Sequence, residues 1–294
     1  MLHHIENELL ACTIDSLGAE IRSLKHKASG QEYIWPMNPK VWGSSSPVLF
    51  PAIGSIKGGE ISFKGESFPL SKHGIIRNNA ELSFSAEGTN QCSFSLQSNE
   101  KTRKLYPFEF EFKVSYSLDV LRLRMTFEVL NKGDEPMPFL VGGHTAYYLP
   151  LGAGLALSDY QIEIPGNKRF IEAATLSETG LLGKRMRNFP LQDGALALSE
   201  SIFKEDALIF KDVDFDELSL RTKDGGERLR VYFKGFPHLA LWAKPGADYV
   251  CIEPWLGLPD RDEESMAIME KSTYNKLEPK STFSISIETE IIAL

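Results

Sequence analysis

The chain has 294 residues, 42% hydrophobic and 24% charged, with a formal charge of −8. A net negative surface repels polyanions, which excludes nucleic acid and anionic membranes as general partners and makes a small or neutral ligand the better fit. No apolar run reaches the roughly 18 residues of a membrane span, and MLHHIENELL has no basic segment followed by a long apolar one, so a cytoplasmic protein is expected.

In chain order, strand-like stretches fall at 7–14, 18–25, 61–63 with 68–70 around Gly65, 81–85 and 92–97. The strongest signal follows at 108–129. Phe108, Phe110, Phe112, Val114, Tyr116 and Leu118 alternate with mostly charged or hydroxyl residues, and Leu121, Leu123, Met125, Phe127 and Val129 alternate in the opposite parity. A two-residue loop at Asp119-Val120 would set Leu118 against Leu121, Tyr116 against Leu123 and Val114 against Met125, with all apolar side chains on one face. Val120 is a poor turn residue, because its β-branch resists positive φ. Further strands are expected at 216–221 with 228–233 around Asp224-Gly225, at 238–243, 249–253 and 281–292; short helices are expected only at 201–206 and 262–271. Many closely spaced strands and little helix predict an all-β sandwich rather than βαβ layers. With no repeat and no dividing linker, residues 1–294 are expected to form a single domain.

Cys12, Cys92 and Cys251 are an odd set without C-x-x-C spacing, which predicts reduced thiols and neither a disulfide frame nor a zinc site. No other metal-ligand cluster is visible in the sequence. His3-His4 sits at a terminus expected to fray, where two side chains pointing apart make a poor chelate.

Three segments join ionisable groups to turn residues and apolar flanks: His73-Gly74-Ile75-Ile76-Arg77, Gly142-Gly143-His144 and Cys251-Ile252-Glu253-Pro254-Trp255. Glu253 follows an apolar run and precedes a proline that ends regular pairing, so its carboxylate lies at a rim or inside. Burial there would raise its pKa toward that of a base working near neutrality; a hydrogen-bonded structural glutamate is the alternative. His144 follows Phe139-Leu140-Val141 and a glycine pair that permits close backbone approach. Its imidazole suits proton delivery at neutral pH, and a structural histidine is again the alternative. His73 and Arg77 form a cationic cluster in an acidic protein, open to a solvated-surface reading as well.

Other segments extend the pattern. They include Leu17-Gly18-Ala19-Glu20-Ile21-Arg22-Ser23-Leu24, Glu32-Tyr33-Ile34-Trp35, Ser46-Pro47-Val48-Leu49-Phe50-Pro51 with Gly54, Phe203 with Asp206-Ala207-Leu208, and Leu241-Trp242. In this order, and essentially end to end, the chain resembles the aldose 1-epimerase (galactose mutarotase-like) family, particularly its branch associated with lactose operons. The resemblance implies a β-supersandwich whose concave face holds a monosaccharide, with no cofactor or metal. It implies that Glu253 takes the proton of the anomeric hydroxyl and His144 protonates the ring oxygen, from opposite sides of the hemiacetal. His73 would assist at the ring oxygen or bind a hydroxyl, Arg77 would bind a substrate oxygen, and Asp206 would accept from sugar hydroxyls. Trp242 would stack on the pyranose, or else belong to the core.

Two departures qualify the match. Ile75 stands where the family usually has an aromatic residue. The related hexose-6-phosphate epimerases carry an extra arginine where this chain reads Trp42-Gly43-Ser44-Ser45-Ser46-Pro47, which favours an unphosphorylated aldohexose unless Lys57 or Lys72 substitutes. The expected activity is therefore interconversion of the α and β anomers of a free aldohexose. A hexose-6-phosphate 1-epimerase would show a second cation beside Arg77 in the cleft, and a non-catalytic carbohydrate binder would lack a shared cleft for His144 and Glu253.

Overall fold

The alternation at 108–131 becomes the centre of the largest sheet in the computed structural model, which describes residues 1–152 and 154–292. Strands Phe110–Asp119 and Arg122–Asn131 pair antiparallel, and the side chains of Phe110, Phe112, Val114, Tyr116, Leu123, Met125 and Phe127 are buried. The turn lies at Val120-Leu121, one residue later than the sequence suggests. Leu118 therefore pairs with Leu123, Tyr116 with Met125 and Val114 with Phe127. Moving the turn by one residue moves the pairing by two, so every side chain keeps its face. Val120 adopts φ 49° despite its β-branch. The turn is tied from outside: Asn7 Nδ2 donates to Val120 O at 3.0 Å and Ile291 N to Leu121 O at 2.9 Å.

This sheet has nine strands, ordered from edge to edge as Ala195–Ala197, Tyr160–Glu163, Glu217–Thr222, Glu227–Tyr232, Thr282–Ile291, Arg122–Asn131, Phe110–Asp119, Gln91–Gln97 and Ser83–Ala86. A second, eight-stranded sheet runs Leu182–Pro190, Phe170–Leu176, Leu208–Phe210, His238–Trp242, Tyr249–Trp255, Gly142–Gly143 and Val48–Leu49, with Thr145–Tyr148 also paired to Tyr249–Trp255. The two sheets meet face to face. Phe50 stacks on Phe112 at 4.7 Å between ring centroids, and the Tyr147 and Thr289 hydroxyls are 2.6 Å apart. The architecture is thus a nearly all-antiparallel β-sandwich, as the sequence predicts.

The N-terminus is not frayed. Leu2–Glu6, Leu10–Asp15 and Glu20–His26 form a three-stranded sheet in which His3 stacks on Phe84 at 3.7 Å and His4 Nδ1 contacts Thr13 Oγ1 at 3.0 Å. The two expected helices shrink to 3₁₀ turns, Glu200–Phe203 and Ile268–Glu270. Around the second, Glu264 Oε1 accepts from Ser272 N and the Lys271 side chain turns inward to Asp260, contacts that hold the segment as a loop. A one-turn α-helix, Glu100–Arg103, was not expected; Asn99 caps it in a box with Thr102. Among the described residues no helix is long and apolar enough to cross a membrane.

Candidate functional site

Strand Tyr249–Trp255 is buried on both faces. The period of two turns Val250 and Ile252 into the core between the sheets and Tyr249, Cys251, Glu253 and Trp255 to the other side. That side floors a cleft of about 360 Å³, in the range typical of small-molecule sites, roughly 300–1,000 Å³. His73, Arg77, His144, Asp206, Trp242 and Glu253 all line it.

The acid–base candidates are cross-strand neighbours. Gly142 pairs with Trp255 and Thr145 with Ile252, a register that sets His144 opposite Glu253. Side chains so placed have Cβ atoms about 4.5–5.5 Å apart, and His144 Nδ1 lies 3.4 Å from Glu253 Oε1. The expectation of groups on opposite sides of a hemiacetal is therefore corrected. They stand side by side on the cleft floor, and a ring must lie above them. This is compatible with the chemistry, because the two oxygens to be served are both attached to the anomeric carbon. The glycine pair makes the approach possible: a Cβ on Gly143 would come within 2.9 Å of Met125 and Ile287 side-chain atoms of the facing sheet.

Both groups are short of partners. His144 Nδ1 and Glu253 Oε2 are buried without a hydrogen bond. Burial pushes the Glu253 carboxyl well above the usual range, against the opposing pull of Lys72 and Arg77, while Asp206 adds to the rise. Burial, then the positive charges of Arg77 and Lys72, pushes the His144 imidazole down to about 3. Desolvation thus favours the neutral acid and neutral imidazole, whereas their contact favours the charged pair.

His73 and Gly74 occupy the left-handed region, φ 69° and 80°, and a Cβ on Gly74 would sit 2.1 Å from Phe50 O. This tight crossing over strand Val48–Leu49 and its extension aims His73 into the cleft. Gly54 N–H donates to His73 Nδ1 at 3.2 Å, which leaves the proton on Nε2. Burial first, then His144, Lys72 and Arg77, holds this imidazole well below its ordinary value, so it is a neutral donor. Ile75, in contrast, packs in the core and is not part of the cleft wall.

Arg77 Nη2 donates to Ser44 Oγ at 3.3 Å, and its Nε is buried without a partner. The serine segment is itself anchored, with Ser46 N donating to the buried Glu20 carboxylate at 2.9 Å. Asp206 is exposed at the rim with φ 71°, its Oδ1 accepting from Ala207 N, so it is a strained turn residue at the cleft rather than part of a solvated helix. Trp242 is half-buried, edge-on to His144 with centroids 5.8 Å apart.

Several cleft residues escaped the sequence reading. Trp42, on an irregular turn, stacks on His144 at 5.1 Å and 28° and meets Trp242 edge-on. Its turn is held by Trp35 Nε1 donating to Trp42 O and by Lys244 Nζ donating to Val41 O at 2.6 Å. Lys72 and Lys244 line the cleft beside Arg77, and among the described residues none of the three has an ion-pair partner. A second cation therefore does join Arg77, and Lys72 is one of the two residues the sequence offered as a substitute for the family's extra arginine. Lys57, the other candidate, bonds Glu264 O instead. The sequence also showed no metal-ligand cluster, yet the fold brings donor atoms of His144, Cys251 and Glu253 within 4.8 Å of one another. Only the strand register reveals that grouping.

The sequence profile of the aldose 1-epimerase family matches residues 1–262. Protein LacX of Lactococcus lactis subsp. lactis is 30% identical over 300 residues, covering 99% of this chain and 100% of that protein. A galactose mutarotase related enzyme from Lactobacillus acidophilus superposes with a TM-score of 0.92 at 34% identity, covering 100% of this chain and 98% of that one. A galactose mutarotase-like protein from Lactobacillus casei does so at 0.91, covering 99% and 100%; at 24% identity it speaks for the fold alone.

Proposed function

The chain belongs to the aldose 1-epimerase family, and from that premise we propose that it interconverts the α and β anomers of an aldose by acid–base opening of the ring. The observation that carries this reading is the His144–Glu253 contact on the cleft floor, 3.4 Å long, with unpaired atoms on both groups. Glu253 takes the proton of the anomeric hydroxyl while His144 delivers one to the ring oxygen. The ring C1–O5 bond breaks as the C1–O1 bond becomes a carbonyl. Rotation about C1–C2 then presents the other face, and reclosure returns both protons. No net proton is gained or lost, because acid and base exchange roles on reclosure. His73 donates from Nε2, and Trp42 and Trp242 supply apolar wall.

A second reading has its own support. Lys72, Arg77 and Lys244 facing one cleft of a protein with charge −8 favour an aldose carrying an anionic group, such as a 6-phosphate. Anomer-resolved NMR on freshly dissolved α-glucose, α-galactose and α-glucose 6-phosphate tests both readings. Acceleration of none of them would refute the enzyme reading. If the anion is bound by the lysines, Lys72→Ala and Lys244→Ala raise KM for the phosphorylated sugar by about tenfold each, the worth of one charge-assisted hydrogen bond, and leave glucose nearly unaffected. Equal effects on both sugars would count against the anionic substrate.

A further inference from the structure

We propose that His144, Cys251 and Glu253 form a binding site for one soft divalent cation, Zn²⁺ or Cd²⁺, and that its occupancy shuts down proton transfer at the cleft floor. The shutdown rests on the roles proposed above for His144 and Glu253; the binding does not.

The strand register builds the trio. Cys251 and Glu253 are two apart on strand Tyr249–Trp255 and point to the same side, Glu253 into the cleft and Cys251 buried beside it with Trp35, Ala146 and Tyr249, while His144 stands across from Glu253. Their donor atoms lie within 4.8 Å of one another, and the imidazole and carboxylate are already 3.4 Å apart. Bonds of about 2.0–2.3 Å to nitrogen, oxygen and sulfur place tetrahedral ligands roughly 3.3–3.7 Å from each other, so the widest gap closes by about 1 Å. Two of the donors, His144 Nδ1 and Glu253 Oε2, are buried with nothing to bond, a condition an ion would relieve. A water completes the tetrahedral sphere at the fourth position.

The donor set selects the ion. A thiolate with an imidazole suits Zn²⁺ and Cd²⁺, whereas Mg²⁺ and Ca²⁺ prefer oxygen alone. On binding, the sulfur–metal bond forms as the thiol proton leaves to solvent, and any proton held by Glu253 or shared with His144 leaves with it. Thiolate and carboxylate together cancel the two positive charges of the ion, so Lys72 and Arg77 meet a neutral centre. An ion held there occupies the lone pairs that the acid–base pair needs, and its inhibition is competitive with sugar.

Cadmium reports the site directly, because a cadmium–thiolate bond has an ultraviolet charge-transfer band. Titrating Cd²⁺ into the full chain is expected to develop that band with one-to-one stoichiometry and abolish mutarotation, both reversed by a chelator. Cys251→Ala, outside the proton-transfer pair, is expected to retain metal-free turnover, lose the band and require more than about 100-fold more Cd²⁺ for half-inhibition, since even outer-shell changes cost 10–100-fold. The Cys12→Ala/Cys92→Ala double variant keeps Cys251 as its single thiol and must keep the band. Absence of the band in wild type, its loss in the double variant or unchanged inhibition of Cys251→Ala overturns the proposal. The band does not depend on turnover, so it separates this proposal from the assignment of the reaction.

Discussion

Two buried acid–base contacts in this molecule are built in opposite ways. Lys271 Nζ lies 2.5 Å from Asp260 Oδ2, both side chains fully buried, and the same oxygen accepts from Lys57 N at 3.0 Å. Asp260 also donates its own N–H to Ser55 O and accepts from Leu182 N through its carbonyl, so three segments are knit to one residue. Asp260 Oδ1 also lacks a hydrogen bond, but neither Asp260 nor Lys271 faces the cleft; His144 and Glu253, nearly as deep, line it, meet at 3.4 Å and leave one atom each unpaired. A pair that holds a fold together is drawn tight and tied to the backbone. A pair that must trade protons with a ligand is left looser, and where it lines a cleft its unpaired atoms mark where the ligand belongs.

Substitution should separate the two pairs cleanly. Glu253→Gln and His144→Asn are each expected to cut turnover by about 10²–10⁴-fold while the fold remains intact, because each removes one proton-transfer partner. Anomer-resolved NMR measures the rate, and full activity in either variant would remove that residue from its role. Lys271→Met should act in reverse. Leaving Asp260 unpaired costs about 3–5 kcal/mol in urea unfolding, whereas turnover per folded molecule falls far less than in Glu253→Gln. A Lys271→Met protein as stable as wild type would mean that the tight pair contributes nothing to the fold.

The contrast also explains what was legible in the sequence. Alternation at 110–131 revealed the central hairpin because one of its faces is buried and the other is not. The hairpin Phe170–Leu176 with Leu182–Pro190 went unseen because Lys184-Arg185-Met186 is exposed at a sheet edge and carries no apolar period. The six site residues were found through short motifs and resemblance, and all reach the cleft. Trp42 and Lys244 were not assigned to it, and Lys72 only as an alternative cation, since their placement depends on an irregular turn and loop crossings. The turn at Val120-Leu121 was misplaced by one residue for a similar reason: its anchors, Asn7 and Ile291, are remote in sequence.

The same incompleteness should appear as a stability cost, smaller than the catalytic effect. Burial raises the Glu253 carboxyl in the folded state above its ordinary 4.5, so its contribution is fully present below about 4.5 and is lost as pH rises through the folded value. Glu253→Gln cannot ionise, and it should become more stable than wild type as pH increases, by on the order of 1–3 kcal/mol near neutrality.

His144 works on the other limb. Its folded pKa is depressed from 6.5 to about 3, so its contribution is present above 6.5 and lost as pH falls toward 3. His144→Asn should therefore gain on wild type only under acid conditions, and by less, because Asn must still satisfy its amide in the same sealed position. Urea unfolding of the three proteins from about pH 4 to 8 would trace both limbs. Two variants that gain on opposite sides of neutrality would identify a pair destabilised in whichever charged form the solvent imposes. Curves that stay parallel to wild type throughout would mean that burial penalises neither charged form, and the loose contact of His144 with Glu253 would carry no stability cost.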